Sequence, residues 1–428
     1  MTSPAAAGSS PTGRAYWVLF LLVVVYALNF VDRNILSILI PSIQADLHVS
    51  DTEMGLLTGL AFAMLYTLAG FPIARLADRI SRRLVIALGM ACWSLMTAAS
   101  GLVRNYLEML IARVGVGIGE ASATPAAHSL ISDYFPPQRR STAIAIYNTG
   151  ASLGIFLGMA LGGFLNDRFG WRAAFVIVGL PGILMALVVR FAMPEPPRGQ
   201  SEGLVDGGDL PSLDEVARHM LAQRSFRHLL TAAGLYSITA YAMIIWGATL
   251  LLRVHDLTPS QLGIWVGLAM GPTGALGAVL GGLTADRLGR RDARWLMWLP
   301  AIGCSLLVPC LAGFAFSPTP MLALLFLALA SVLNQFYPSP SYAITQGLAL
   351  LRMRAQASAM ILFTINIVGM GLGPLLVGAL SDALDPRFGV DAIRYSMAIV
   401  GLTNLWAALH SVLGARTLRA DLKRATAS

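Results

Sequence analysis

Apolar runs long enough to cross a lipid bilayer recur twelve times along these 428 residues, at 16–40, 52–76, 84–103, 106–129, 142–165, 171–191, 229–252, 260–283, 295–316, 321–350, 358–380 and 393–413. One crossing needs about 20 such residues. The sequence therefore predicts an all-α membrane protein with twelve transmembrane helices. Charged residues make up 12% of the chain and hydrophobic ones 56%, about half the charge density of a soluble domain. A cytosolic globule and a disordered chain are both excluded.

The runs fall into two sets of six, with a polar stretch rich in Pro, Gly, Glu and Asp between them. The expected domains are an N-terminal six-helix bundle over 1–192, a cytoplasmic linker over 193–227, and a C-terminal six-helix bundle over 228–428. Within the linker, Leu213, Val216, Ala217, Met220 and Leu221 fall on one helical face, the pattern of an amphipathic helix lying on the membrane surface.

Charge sets the orientation. With both termini placed in the cytoplasm, 22 of the 30 Lys and Arg residues fall in tails and inner loops, as the positive-inside rule requires. The net charge of +8 is therefore a topological signal, and nucleic acid is not an expected partner. Cys92, Cys304 and Cys310 lie inside apolar runs without metal-ligand spacing, so neither a disulfide framework nor a metal site is expected. No H-E-x-x-H or nucleotide-binding loop is present, and neither an enzyme nor a cofactor is expected.

The loop after the second run reads Ala74-Arg75-Leu76-Ala77-Asp78-Arg79-Ile80-Ser81-Arg82-Arg83, and the loop after the eighth reads Gly282-Leu283-Thr284-Ala285-Asp286-Arg287-Leu288-Gly289-Arg290-Arg291. One Asp and three Arg recur at the same spacing, six runs apart, which points to a duplicated transporter architecture with a central site between its halves. The pattern resembles the loop signature of the major facilitator superfamily. That resemblance implies two pseudo-symmetric six-helix bundles, alternating access, a monomer, and gating roles for Asp78, Arg79, Arg82, Arg83, Asp286, Arg287, Arg290 and Arg291. The first copy departs from the pattern at Ala74 and Ser81, where the family carries glycine.

Three further strings, Asn29-Phe30-Val31-Asp32-Arg33, Gly117-Ile118-Gly119-Glu120-Ala121 and Ser132-Asp133-Tyr134-Phe135-Pro136-Pro137-Gln138-Arg139-Arg140, resemble the Spinster-like family. Its animal members export sphingosine-1-phosphate or move lysophospholipids. Parts of the same pattern are shared with symporters of small organic anions. The resemblance implies a cell-membrane transporter of a lipid-like anion, with a small water-soluble organic anion as the alternative substrate, and with protons and membrane lipids as the other partners.

Four charges stand out deep inside the apolar runs, away from their edges: Asp32, Arg33, Arg113 and Glu120. Buried charges in a membrane cost several kcal/mol and normally serve function. At 1.5 Å per residue, Asp32 and Arg113 both lie roughly 10–12 Å from the outer membrane surface. Asp32 is therefore expected to be a proton-accepting switch, with Arg113 as its conditional partner. Glu120 is expected to be a second titrating or substrate-sensing carboxylate, and Arg33 to serve the same cavity or neutralise Glu120. Protonation of Asp32 would free Arg113 for an anionic substrate. Asn29, Tyr147, Tyr241, Phe336, Tyr337 and Asn366 complete the expected substrate contacts. Gly150, Gly154, Gly158 and Gly162, spaced by four, signal close helix packing.

Overall fold

The computed structural model describes residues 13–196, 212–255 and 257–427, which form helices and turns with no strand. In chain order the helices are α1 (Gly13–Leu47); α2 (51–79), interrupted by a π-helical turn at Leu56–Leu60; α3 (Arg82–Ser100); α4 (Tyr106–Glu120); α5 (Ala123–Tyr134); and α6 (Pro137–Ala192). After the polar stretch come α7 (Leu213–Ala222), α8 (Arg224–Val254), α9 (Pro259–Gly289), α10 (Trp295–Phe316), α11 (Pro320–Asn334) and α12 (Pro338–Leu348). α13 (Arg354–Thr364) passes through a π-helical turn at Ile365–Met370 into α14 (Gly371–Phe388), followed by α15 (Ala392–Gly401) and α16 (Thr403–Ala427).

Among the described residues, nine helical stretches are long and apolar enough to cross a membrane. Two of them, Thr142–Ala192 and Gln356–Ala425, far exceed one crossing. The first is broken at Gly170, where φ is +81° and ψ 163°. A side chain would disfavour that left-handed backbone, so the glycine ahead of Trp171 marks the end of one span and the start of the next. The run at 106–129 is also two helices, α4 and α5, which part at a turn over Ala121 and Ser122. There the Gly119 carbonyl accepts both from the Ser122 amide at 3.2 Å and from Ser122 Oγ at 2.8 Å.

Residues group into two compact units, one built from Met1–Leu39 with Met64–Gly207, the other from Ile40–Ala63 with Gly208–Ser428. Both show large apolar side chains outward as well as inward; Phe20, Leu184 and Trp406 are exposed. A lipid solvent tolerates such a surface, whereas water would not.

In the first unit, the glycines at 150, 154, 158 and 162 lie along α1. A Cβ on Gly150 would come within 2.7 Å of the Val23 carbonyl oxygen, and one on Gly158 within 3.0 Å of the Val31 oxygen. The four-residue spacing thus lets α6 lie directly on the α1 backbone. Gly119 plays the same part between α4 and α3, where a Cβ would meet the Trp93 nitrogen at 2.7 Å. These two close approaches bring α1, α3 and α4 together around the membrane charges.

In the second unit the two π-helical turns face one another. A Cβ on Gly59 would come within 2.8 Å of the Gly371 oxygen and 3.0 Å of the Met370 oxygen. Trp246 Nε1 donates to the Pro374 carbonyl at 2.9 Å, an acceptor near the α14 proline. α7 begins at Ser212, whose side chain accepts from the Glu215 amide, and it buries Val216 and Met220 while Leu213 and Leu221 remain exposed.

Candidate functional site

The four membrane charges of the first unit come together where α1 meets α4. Arg33 Nε donates to Glu120 Oε2 at 3.1 Å, and its Nη2 makes an ion pair with the same oxygen. Arg113 Nη1 donates to the main-chain oxygen of Asp32 at 3.5 Å and lies within electrostatic reach of both Asp32 and Glu120. Trp93 and Thr97 of α3 lie beside the Asp32 carboxyl. The ion pair is therefore Arg33–Glu120, and Arg113 meets Asp32 through its backbone.

Burial divides the four. Asp32, Arg113 and Glu120 are almost wholly enclosed, while the Arg33 side chain keeps 18% of its surface. Phe30 and Tyr66 flank its guanidinium, at 5.2 and 5.4 Å from ring centre to the central carbon, a geometry that holds a cation over aromatic faces. Among the described residues, Arg113 Nε, Glu120 Oε1 and Asn29 Nδ2 are buried without a hydrogen-bond partner. Two carboxylates and two guanidiniums balance when all are ionised, so adding one proton leaves one net positive charge.

The remaining expected contacts are placed as follows. Tyr147 is buried and stacks on Tyr26 at 4.3 Å. Tyr337 is likewise buried, stacks on Tyr236 at 4.3 Å, and donates to the Leu229 carbonyl at 3.0 Å. Tyr241 and Phe336 are half-buried, and Asn366 sits half-buried in the second π-helical turn.

Of the two signature loops, the first carries the denser network. Arg82 is buried: its Nη1 pairs with Asp133, its Nε lies 3.3 Å from Glu195 Oε1, and its Nη2 donates to the Pro196 carbonyl at 3.0 Å. Ser81, standing where the pattern has glycine, caps α3 by accepting from the Leu84 amide and donates to Glu195. Burial pushes the Glu195 carboxyl up, but the hydrogen bonds from Ser81 and from the Arg82 amide and guanidinium hold it below the usual carboxylate range. Arg83 Nη1 donates to the Met193 carbonyl at 3.1 Å, and Arg79 is exposed. The Asp78 side chain lies outside the described residues. In the second copy Asp286, Arg287, Arg290 and Arg291 are exposed. The carboxylate that ties this loop down is Asp292, which accepts from Arg294 Nε at 3.0 Å and from Arg419 Nη2 at 2.6 Å. Those bonds, with Arg294 foremost, bring its pKa down to about 2.

Sequence reasoning did not single out Asp133, Glu195, Asp292, Asp51, Arg253 or Asp382. The last three form a cluster in the second unit. Arg253 pairs with Asp51 and donates to Gln44 Oε1 at 2.8 Å. Asp382 accepts from the Asp51 amide at 3.1 Å and the Thr52 amide at 2.8 Å, so a carboxylate from α14 sits on the positive end of α2. One signal for it was legible. Gly378 precedes Asp382 by four, as Gly282 precedes Asp286 and Gly163 precedes Asp167-Arg168, so the loop signature echoes every three helices.

With this geometry in hand, known proteins provide a comparison. The sequence profile of the Major Facilitator Superfamily matches residues 22–374. An MFS-type efflux pump of Mycolicibacterium smegmatis is 34% identical over 419 residues, covering 96% of this chain and 94% of that protein. A D-galactonate transporter of Escherichia coli is 26% identical, over 87% of this chain and 91% of its own. Among solved structures, a bacterial homologue of the human lysosomal transporter Spinster, in an inward-facing and unoccupied conformation, superposes with a TM-score of 0.87 at 30% identity, over 97% of this chain and 99% of that one.

Proposed function

The chain belongs to the Major Facilitator Superfamily, and from that premise we propose that it is a proton-coupled transporter of an amphiphilic, lipid-like anion, working by alternating access. It is a multi-pass cell-membrane transporter and not an enzyme. The finer reading rests on one observation: the Arg33–Glu120 ion pair, buried on its acidic side and partly open on its basic side. A proton taken up by Glu120 removes the partner of Arg33, and the freed guanidinium can then bind an anionic headgroup bidentately. Asp32 and Arg113, enclosed beside them, act as the second carboxylate and its counter-charge, and set how readily the site accepts that proton. Arg113, at 3% exposure, serves better as an internal counter-ion than as the substrate contact. The Spinster likeness over nearly the whole chain supports a substrate with an acyl or sphingoid tail.

A second reading, a small sugar-acid anion, is supported by the galactonate relative and uses the same charges. Flux of labelled sphingosine-1-phosphate, lysophospholipid and galactonate into proteoliposomes, with and without a pH gradient, separates the two. Lipid flux that follows the gradient in wild type, and is lost in Glu120→Gln and Asp32→Asn, is the expected result. Galactonate flux without lipid flux selects the second reading. Gradient-driven transport intact in both variants overturns proton coupling through these carboxylates.

A further inference from the structure

A cavity of mixed apolar and basic lining lies in the first unit, at the end of the bundle that the arginine asymmetry assigns to the cytoplasm. The first turns of α1 and α6 enclose its volume of about 270 Å³. Leu19 and Phe135, both buried, form its apolar floor, and Ile146 leads outward from it. Tyr16, Arg139 and Thr142 supply its polar edge. The Tyr16 ring meets Phe135 edge-on, with centroids 5.8 Å apart, which points the phenol body at the cavity wall. Among the described residues, neither the Arg139 guanidinium nor the Tyr16 hydroxyl has a hydrogen-bond or ion-pair partner.

Neighbouring charge favours an anion. Arg14 and Arg82 both act on Tyr134, the residue before Phe135, against one carboxylate, Glu195; Glu195 and the nearest carboxylate in sequence, Asp133, are both already paired with Arg82. The first turn of α6 contains no acidic residue, so its positive end adds to the field. The surroundings favour a lipid over a free ion. Tyr16, Trp17 and Phe20 are exposed along the start of α1, the aromatic pattern of a membrane–water boundary, and Trp17 Nε1 is tied to the Ala192 carbonyl at 3.3 Å. A phosphate at Arg139, Thr142 and Tyr16 would therefore place its glycerol over Leu19 and its chains along Phe20 and Ile146. We propose that this cavity binds the headgroup of an anionic phospholipid of the inner leaflet, apart from the substrate site.

The full chain in a neutral detergent, titrated with phosphatidylglycerol or with phosphatidylcholine of the same chains and read by native mass spectrometry, tests the assignment. Wild type should retain phosphatidylglycerol in excess. Arg139→Ala should reduce that excess about fivefold, the worth of one arginine near a charged membrane surface. Ile146→Trp, which fills the cavity and leaves every charge in place, should reduce it comparably. Arg104→Ala, an exposed arginine in the turn before α4, should not change it. Unaltered thermal transitions in phosphatidylcholine would show that the variants are folded. Retention of the preference in both Arg139→Ala and Ile146→Trp overturns the site. Displacement of the lipid by millimolar inorganic phosphate, or an equal loss in Arg104→Ala, overturns specific recognition of the lipid.

Discussion

Replacing Gly154 by alanine tests whether the glycine stripe of α6 positions the charged pair. A Cβ at Gly154 would lie 2.5 Å from Phe30 Cβ, and closer still to the Ala27 carbonyl oxygen. Neither atom is the free end of a flexible chain, so α1 and α6 must part by about 1 Å to regain a contact near 3.5 Å. Overpacking of this kind costs about 1–3 kcal/mol. For a unit of 150–250 residues that lowers Tm by about 2–12 °C. The displacement also reaches the site, because Phe30 carries the ring over which Arg33 is held. Thermal unfolding in detergent and gradient-driven flux in proteoliposomes should therefore fall together. Gly70→Ala is the control: nothing lies within 4 Å of its Cβ, and alanine's helix preference should leave Tm unchanged or raised by the equivalent of about 0.5–1 kcal/mol. A Gly154→Ala protein with wild-type Tm and flux would refute the claim that backbone contact along this stripe holds α1 in place.

Arg253→Ala removes the cation from Asp51, which is 6% exposed, and should cost about 3 kcal/mol, the low end for breaking a buried pair because Arg253 is itself partly solvated; a Tm equal to wild type would mean the cluster contributes no stability. Asp382→Ala strips the start of α2 of its acceptor and should cost about 1–2 kcal/mol in the same measurement. Glu195 titrates below its usual range when folded, so its stabilisation is complete above the ordinary glutamate pKa of about 4.3 and is lost as pH falls through the lower folded value. Unfolding midpoints measured from pH 6 to pH 3 should show a smaller acid loss in Glu195→Gln than in wild type, and parallel curves would exclude this role.

Legibility differed by kind of feature. The glycine spacing at 150–162 announced a close helix contact because room for backbone approach is set by local sequence, whereas α1 as the partner came from the structure. Local sequence also accounts for Gly170, where the break between two spans follows from one residue's permitted dihedrals. Asp32, Arg33, Arg113 and Glu120 were visible because charge inside an apolar run is costly wherever it occurs. Their pairing was visible only in part: Arg33 with Glu120 stood as one of two expectations for that arginine. Equal depth suggested Asp32 with Arg113, yet rotation about α1 turns Arg33 toward Glu120 and leaves Arg113 against the Asp32 backbone. Depth comes from counting residues, whereas azimuth depends on how neighbouring helices seat against one another.

The carboxylates at 133, 195, 292 and 382 went unseen for a related reason. The first three lie at a helix end or in a turn and Asp382 lies within α14; an acidic residue in any of these places gains meaning only from the arginine or helix terminus it meets. Glu195 is 113 positions from Arg82, and Asp382 is 331 from the Asp51 amide. Sequence by itself determined the solvent, the helical class, the duplication and the membrane-buried charges, because hydropathy and spacing act within a single segment. Tertiary structure alone decided between the open pairings and supplied the partners of the loop carboxylates, since that choice belongs to helix faces brought together from distant parts of the chain.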